Sequence, residues 1–226
     1  MKNEKTANAK QKIYETAKKL YIEYGYFNIS NKRLAEESSV NQGLITYYFK
    51  SKRNIALAVL SEDYHILSGY LKYFITPEEN PLIYIMSFMH ATFRIRKNDP
   101  KARQFISDVM QEDLLEEFAL LDQKQDYIKL LKRVGTSEAI LEKRLRMVLA
   151  TVYGTQRTMQ RLINENGELD YDEYFRYMVE LLLFALGQPY DQEEVDRIVE
   201  KCAGATNELF EKYPQLLNES LYLYHL

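Results

Sequence analysis

The chain has 226 residues, 46% of them hydrophobic, a single cysteine and a formal net charge of −3. That length and apolar content are enough for one large or two small folded units and exclude a disordered chain, while the lone Cys202 excludes an intramolecular disulfide framework or a thiolate metal cluster. One thiol fits a reducing compartment, the lysine-rich polar start does not read as a signal peptide, and no run approaches about 18 uninterrupted apolar residues, so a cytoplasmic protein without a membrane span is expected.

In chain order, a polar arm leads into a helix from about Ala7 to Tyr24, with Ile13, Ala17, Leu20, Tyr21 and Tyr24 at helical spacing and Gly25 as its C-terminal stop. The next stretch, SNKRLAEESSVNQGLITYYFKSKR from Ser30 to Arg53, predicts two short helices at a tight turn and a basic entry into a third. Ser30 caps the first, Leu34 and Ala35 turn inward, and Ser38-Ser39 breaks it before Val40, which is assigned to the small core. Asn41 caps the second helix, whose Ile45 and Phe49 face inward with Val40 while Gln42, Gly43, Thr46 and Tyr47 face outward. This is a helix-turn-helix, and the outward residues could enter a major groove.

Charge follows the same division. Residues 1–53 hold 11 Lys/Arg against 5 Asp/Glu, giving +6, and the remainder holds 19 against 28, giving −9. A basic headpiece on an acidic body suits phosphate binding through local charge and counterion release, whereas a solvated lysine-rich tail is the plainer alternative.

After the reading unit, Ser51-Lys52 opens a long helix through Ile55, Ala58, Val59 and Glu62 to about Phe74, stopped by Thr76-Pro77. Asn80-Pro81 and Asp99-Pro100 each read as a cap followed by proline at the first helical position. They open a helix carrying Ile85, Phe88, Met89, Thr92 and Phe93, and another over about Lys101 to Met110. Further helices are predicted over about Asp113–Val134, ending at Gly135, and about Ser137–Asn164, stopping at Asn166-Gly167. Asp170 with Glu173 and Asp191 with Glu194 resemble capping boxes for two more, one reaching Leu186-Gly187 and one reaching Tyr213 before Pro214. An apolar tail, Leu221-Tyr222-Leu223-Tyr224, follows. About ten helices and no strand pattern predict an all-α fold, divided into a DNA-binding domain at 1–53 and a regulatory domain at 54–226, with the boundary inside a continuous helix.

The Ser30–Arg53 stretch, with its leading helix, resembles the N-terminal DNA-binding domain of the TetR family of transcriptional regulators over roughly residues 9–53. The resemblance is carried by Ile13, Ala17, Leu20, Gly25, Ser30, Leu34-Ala35, Val40, Gly43, Tyr48-Phe49 and Lys52. It departs at Ser38-Ser39, where the family usually has Ala-Gly, and at Thr46, where it usually has Tyr; the first asks a non-glycine residue to make the turn, at about 1 kcal/mol if its φ is positive. The candidate DNA contacts are Ser30, Lys32, Arg33, Asn41, Gln42, Gly43, Thr46, Tyr47, Tyr48 and Lys52. Gln42 suits adenine, Lys32 aligns with a family position that can reach a base, and Lys52 with the Tyr47 and Tyr48 hydroxyls would meet phosphates.

The body is rich in tyrosine, phenylalanine and methionine on helices, and the plain reading is core. The family resemblance implies in addition an effector pocket, for which Tyr64, Leu67, Phe88, Met89, Phe93, Met110, Tyr127, Tyr153 and Phe184 are the candidates. Ala150, Gly154 and Thr158 form an i, i+4, i+8 row, and Ala203-Gly204-Ala205 interrupts the last helix. Such rows serve either an intrachain crossing or, as the family implies, a homodimer through C-terminal helices, with Ala203 and Ala205 in the contact. His65, His90 and His225 are scattered and set no metal-ligand spacing, no cofactor motif occurs, and Glu112-Asp113 with Glu116-Glu117 reads as an acidic first helical turn, so neither a metal nor catalysis is expected. The expected function is a dimeric repressor on a double-stranded operator, released by a small apolar effector. The alternatives are a regulator answering to a protein partner or to no ligand, and a helical carrier without a DNA role.

Overall fold

The computed structural model describes residues 2–166 and 170–218. The stop at Gly167, the tail Leu221-Tyr222-Leu223-Tyr224 and His225 lie outside the described residues. Among those described, the fold is all-helical, with no strand.

The headpiece is α1 (Lys2–Tyr24), α2 (Asn31–Glu37) and α3 (Gln42–Phe49). Ile13, Ala17, Leu20 and Tyr21 of α1 are buried against Leu34, Ala35, Ile45 and Phe49, each large side chain contributing on the order of 1.5–3 kcal/mol by leaving water. Tyr24 departs from the expected inward face; it is 49% exposed, with the Arg33 guanidinium 4.3 Å above its ring. Val40 is only half-buried at the rim of this core. Gly25 ends α1 with φ +83, and a Cβ there would lie 2.9 Å from Asp108 Oδ2, so both conformation and space demand glycine. The α2–α3 turn does fall on a non-glycine residue: Ser39 adopts φ 52, while the hydroxyl of buried Ser38 donates to the Leu34 carbonyl at 2.5 Å.

From α4 (Lys52–Leu71) onward the caps lie where the residues announce them, and several rods differ in length from expectation. Helix α4 ends at Leu71, short of Phe74, in a turn. Asn80 caps α5 (Pro81–Asn98) by accepting from Ile83 N–H at 3.1 Å, and Asp99 caps α6 (Pro100–Gln111) by accepting from Lys101 and Ala102 N–H. The single helix expected over 113–134 is instead α7 (Leu114–Phe118), a wide π-helical turn (Ala119–Gln123) and α8 (Lys124–Arg133). A 3-10 turn, Glu138–Ile140, precedes α9 (Leu141–Asn166). Asp170 caps α10 (Tyr171–Leu186), and Asp191 caps α11 (Gln192–Lys212), but Glu194 turns its carboxylate to Arg197 instead of closing a box. Helix α11 runs unbroken through Ala203-Gly204-Ala205, and a short α12 (Gln215–Asn218) follows.

Helix α5 is the centre of the body, with α6, α8, α10 and α11 packed on it. Headpiece and body share contacts beyond α4. The Tyr21 ring stacks on Phe105 of α6 at 6.3 Å, Phe27 N–H donates to Asp108 at 3.3 Å, and the buried Lys18 ammonium pairs with Glu62 of α4. The structure therefore ties the predicted domains together through α1, α4 and α6.

Candidate DNA interface and body cavity

The outward face of α3 is built by its two ends. Asn41 accepts from Gly43 N–H at 2.8 Å and starts the helix, and Lys50, at φ 68, ends it. Ile45 and Phe49 anchor the inner side, so Gln42, Gly43, Thr46 and Tyr47 stand exposed, Tyr47 by 66%, with Tyr48 half-buried edge-on to it at 5.0 Å. Ser30 caps α2 by accepting from Arg33 N–H at 3.1 Å, which leaves Lys32 exposed on the neighbouring turn. Arg33, engaged by the Tyr24 ring, is half-buried. These residues lie on the outer side of the helix-turn-helix, the side that such a unit presents to a major groove.

Lys52 does not join it. Its ammonium donates to the carbonyls of Tyr26 and Ile29, at 2.9 and 3.1 Å, and sits 4.0 Å from the Tyr26 ring centroid. Burial pulls this lysine below the usual ammonium range, opposed by Glu112 and Asp108. Its place in the site is structural: it closes the α1–α2 loop from inside. The cation available at the end of α3 is the exposed Lys50, which sequence reasoning passed over because it stands beside a more familiar basic pair.

Within the body, a cavity lies between α4, α5, α6, α7, α8 and α9, offering about 90 Å³ to the centres of water-sized molecules. Seven of the nine candidate pocket residues line it: Tyr64, Leu67, Phe88, Met89, Met110, Tyr127 and Tyr153. Phe93 does not; it is buried on the other side of α5, stacked on Tyr174 at 4.5 Å. Phe184 is 73% exposed on the outside of α10, where helical spacing gave no means of telling an outer apolar stripe from an inner one. The wall also holds polar groups that sequence reasoning missed: Asp63, Arg96, Asp126 and Gln123. Asp126 accepts from the Tyr64 hydroxyl at 2.7 Å, and Gln123, inside the π-helical turn, accepts from Tyr153. Charged residues on helices read as solvated, so nothing in the residue pattern marked them as lining.

The cavity wall reaches the headpiece at the α6–α7 corner. Arg53 donates to the Glu112 carbonyl at 2.5 Å and to the Glu117 carboxylate, while Met110, Leu115 and Phe118 beside that corner line the cavity. The acidic first turn thus serves as the receptor for a headpiece arginine. Asp113, at φ 56, makes the corner itself and pairs with Arg157 of α9 at 2.5 Å.

Ala150, Gly154 and Thr158 are exposed along α9, and nothing lies within 4 Å of where a Gly154 Cβ would stand. The intrachain crossing that such a row can serve is therefore not made here. Met147 on the same stripe is 52% exposed, and Tyr177 and Phe184 expose a second apolar stripe on the adjoining α10. Ala203 and Ala205 are half-buried on α11, whose buried stripe faces α5. Among the described residues no group of three or more His, Cys, Asp or Glu could hold a metal ion, and no helix is long and apolar enough to cross a membrane.

A capped two-helix unit with a polar outer face, set on a helical body, has the geometry of a helix-turn-helix. The head is similar to the tetR family of bacterial regulatory proteins, whose family model matches residues 13–59. It is 35% identical over 60 residues to the HTH-type transcriptional repressor AcnR of Corynebacterium glutamicum, an alignment covering 26% of this chain and 32% of that one. To AcnR of Corynebacterium efficiens it is 30% identical over 86 residues, covering 38% and 43%. The chain thus spans about a third to two-fifths of the length of these relatives. A solved gamma-butyrolactone receptor (ArpA-like protein) aligns over 90% of this chain and 99% of its own, with 15% identity and a TM-score of 0.42.

Proposed function

We propose that this protein is a cytoplasmic, dimeric transcriptional repressor that holds a palindromic operator with its two heads and releases it when a small molecule enters the body cavity. The carrying observation is the Arg53 clamp, which ties the helix leaving the reading unit to the same corner that walls the cavity. The two AcnR repressors similar to the head support the sign of regulation. Two heads must stay about 34–36 Å apart to occupy successive major grooves, so a small rotation of α4 at this corner misplaces both. The effector must favour the rotated state and DNA the other, with a coupling of about 1–3 kcal/mol that acts equally in both directions.

The exposed stripes of α9 and α10 are the proposed subunit contact, with Ala150, Gly154 and Thr158 allowing close helix approach between Met147, Tyr177 and Phe184. No catalytic step enters this reading. It is tested by a mobility shift of the protein's own promoter DNA across a salt series. Sequence-selective binding that weakens steeply with salt is expected. A chain that leaves that DNA unshifted at low salt would instead be a helical carrier without a DNA role.

A further inference from the structure

The cavity carries an acidic group that the protein leaves without a hydrogen bond. Asp63 of α4 is 6% exposed and lines the cavity, yet neither of its carboxylate oxygens has a hydrogen-bond partner. The nearest cation, the Lys18 ammonium, stands 3.9 Å from Oδ1 and is itself engaged by Glu62. A buried carboxylate without hydrogen bonds is among the costliest groups a fold can hold, and such groups are normally closely paired or protonated. Asp126 brings a second carboxylate to the same wall, held by the Tyr64 hydroxyl. The Tyr64 ring stands edge-on to Phe88 and Phe118, at 5.1 and 5.6 Å, so the acidic groups adjoin an aromatic surface.

Arg96 is the cation on the wall, and it is spoken for. Its Nε donates to the Thr92 carbonyl, its Nη1 donates to Gln160, and its guanidinium lies 4.4 Å above the Phe93 ring. It also sits two turns along α5 from Phe88, roughly 12 Å away by helical rise. The carboxyl thus lines one cavity with the aromatic faces, and the arginine that shares that cavity is already engaged.

We infer that the cavity takes a small amphipathic amine, its protonated nitrogen on Asp63 with Asp126 as a further acceptor and its apolar body against Tyr64, Phe88 and Phe118. This rests on the effector reading of the cavity and names the chemical class of the effector. Binding balances as a proton exchange: burial raises the Asp63 carboxyl well above the usual range, Lys18 opposing and Glu62 adding to it, so an incoming ammonium displaces the carboxyl proton to the buffer.

The test is calorimetric titration of the full chain near neutral pH with phenethylamine, and with 2-phenylethanol and phenylacetate as uncharged and anionic counterparts of the same body. Phenethylamine is expected to bind at least tenfold more tightly than the alcohol, with phenylacetate weakest. Repeating the amine titration in buffers of different ionisation enthalpy should show proton release. Asp63→Asn should raise the melting temperature by removing the buried acid, bring amine and alcohol to equal affinity, and abolish the release. Absence of amine binding, preference for the alcohol or the acid, or an unchanged amine preference in Asp63→Asn overturns the assignment. The proton release of the unsubstituted protein stands as a test even if that variant fails to fold. Amine binding that leaves the promoter shift unaffected would sink the release mechanism and keep the amine site; absence of amine binding with an intact promoter shift would overturn the amine site and leave the DNA-binding reading standing.

Discussion

Arg53 closes on Glu117 with two nitrogens on one carboxylate oxygen, Nε at 3.1 Å and Nη2 at 2.7 Å, joining the second residue of α4 to α7. Both side chains keep substantial exposure, 35% and 43%, so solvent screening limits the pair to about 0.5–1 kcal/mol. A double-mutant cycle of Arg53→Ala and Glu117→Ala, read by urea unfolding, is expected to return a coupling of that size. The same variants should reduce the effect of a cavity ligand on operator affinity. Additive destabilisation, with no coupling, would mean the contact transmits nothing.

Gln42 stands exposed at the first turn of α3, where side chains meet base edges. Gln42→Ala is expected to relax preference at one position in each half-site, at about 1–3 kcal/mol of discrimination, and Lys32→Ala to alter a neighbouring position. A competition assay over operator variants checks both. Unchanged preference in the two variants would put the wrong face of α3 against the DNA.

Two lysines two positions apart should behave oppositely. Lys52→Ala removes two bonds to loop carbonyls, so it is expected to destabilise the fold by roughly 1–3 kcal/mol and to leave the salt slope of DNA binding unchanged. Lys50→Ala should leave stability nearly unchanged and lower the slope by about one per half-site. Thermal unfolding together with a salt series separates them.

His90 is buried on α5, its Nδ1 2.7 Å from the Thr206 hydroxyl and its ring 4.6 Å from that of Phe175. Burial, helped by Arg94 and opposed by Asp172, lowers it to about 4. Because the folded pKa lies below the unfolded one, the neutral histidine's stability contribution is present above about 6.5 and is lost as pH falls toward 4, by up to about 3 kcal/mol. His90→Gln, which keeps a partner for Thr206, is expected to flatten the stability profile over that window. Calorimetric melting at stepped pH measures it; parallel profiles for the two proteins would contradict the assignment.

Gly154 offers a test of the subunit contact. A methyl group there meets nothing within 4 Å in the single chain, and alanine favours a helix over glycine by about 1 kcal/mol. Gly154→Ala is therefore expected to stabilise an isolated subunit but to weaken a dimer that needs close α9 approach. Phe184→Glu should break the dimer outright. Sedimentation over a concentration series reads both, and a monomeric parent protein would remove this interface.

Much of this architecture was legible because the chain punctuates itself. Asn80-Pro81, Asp99-Pro100 and Asp191 announce helix starts by chemistry that depends on neighbouring residues only, and the structure places caps at each. The outward face of α3 was legible for a similar reason: Ile45 and Phe49 determine which side is hidden. What failed depended on distant parts of the chain. Lys52 has a long flexible stem, and only the position of the Tyr26–Ile29 loop decides that it curls inward. Phe93 and Phe184 share the periodicity of cavity residues, but periodicity defines a stripe and leaves open which neighbour covers it. Asp63 and Asp126 carry the polarity of surface residues and lie inside because the surrounding helices close over them.

The π-helical turn at Ala119–Gln123 works as a frameshift within the rod that begins at Leu114. At about 100° per residue, an unbroken α-helix would aim the buried set Asp126, Tyr127, Leu130 and Leu131 nearly opposite to Leu114 and Phe118, so one part would have to face water. A wide turn absorbs one extra residue and rotates everything after it by roughly 100°, which returns the later face to within about a quarter-turn of the earlier one. The place of Asp126 on the cavity wall thus owes its orientation to a count of residues. A lineage that lost one residue between Ala119 and Gln123 could keep a long regular helix there and turn Asp126 away from the cavity without changing any lining side chain.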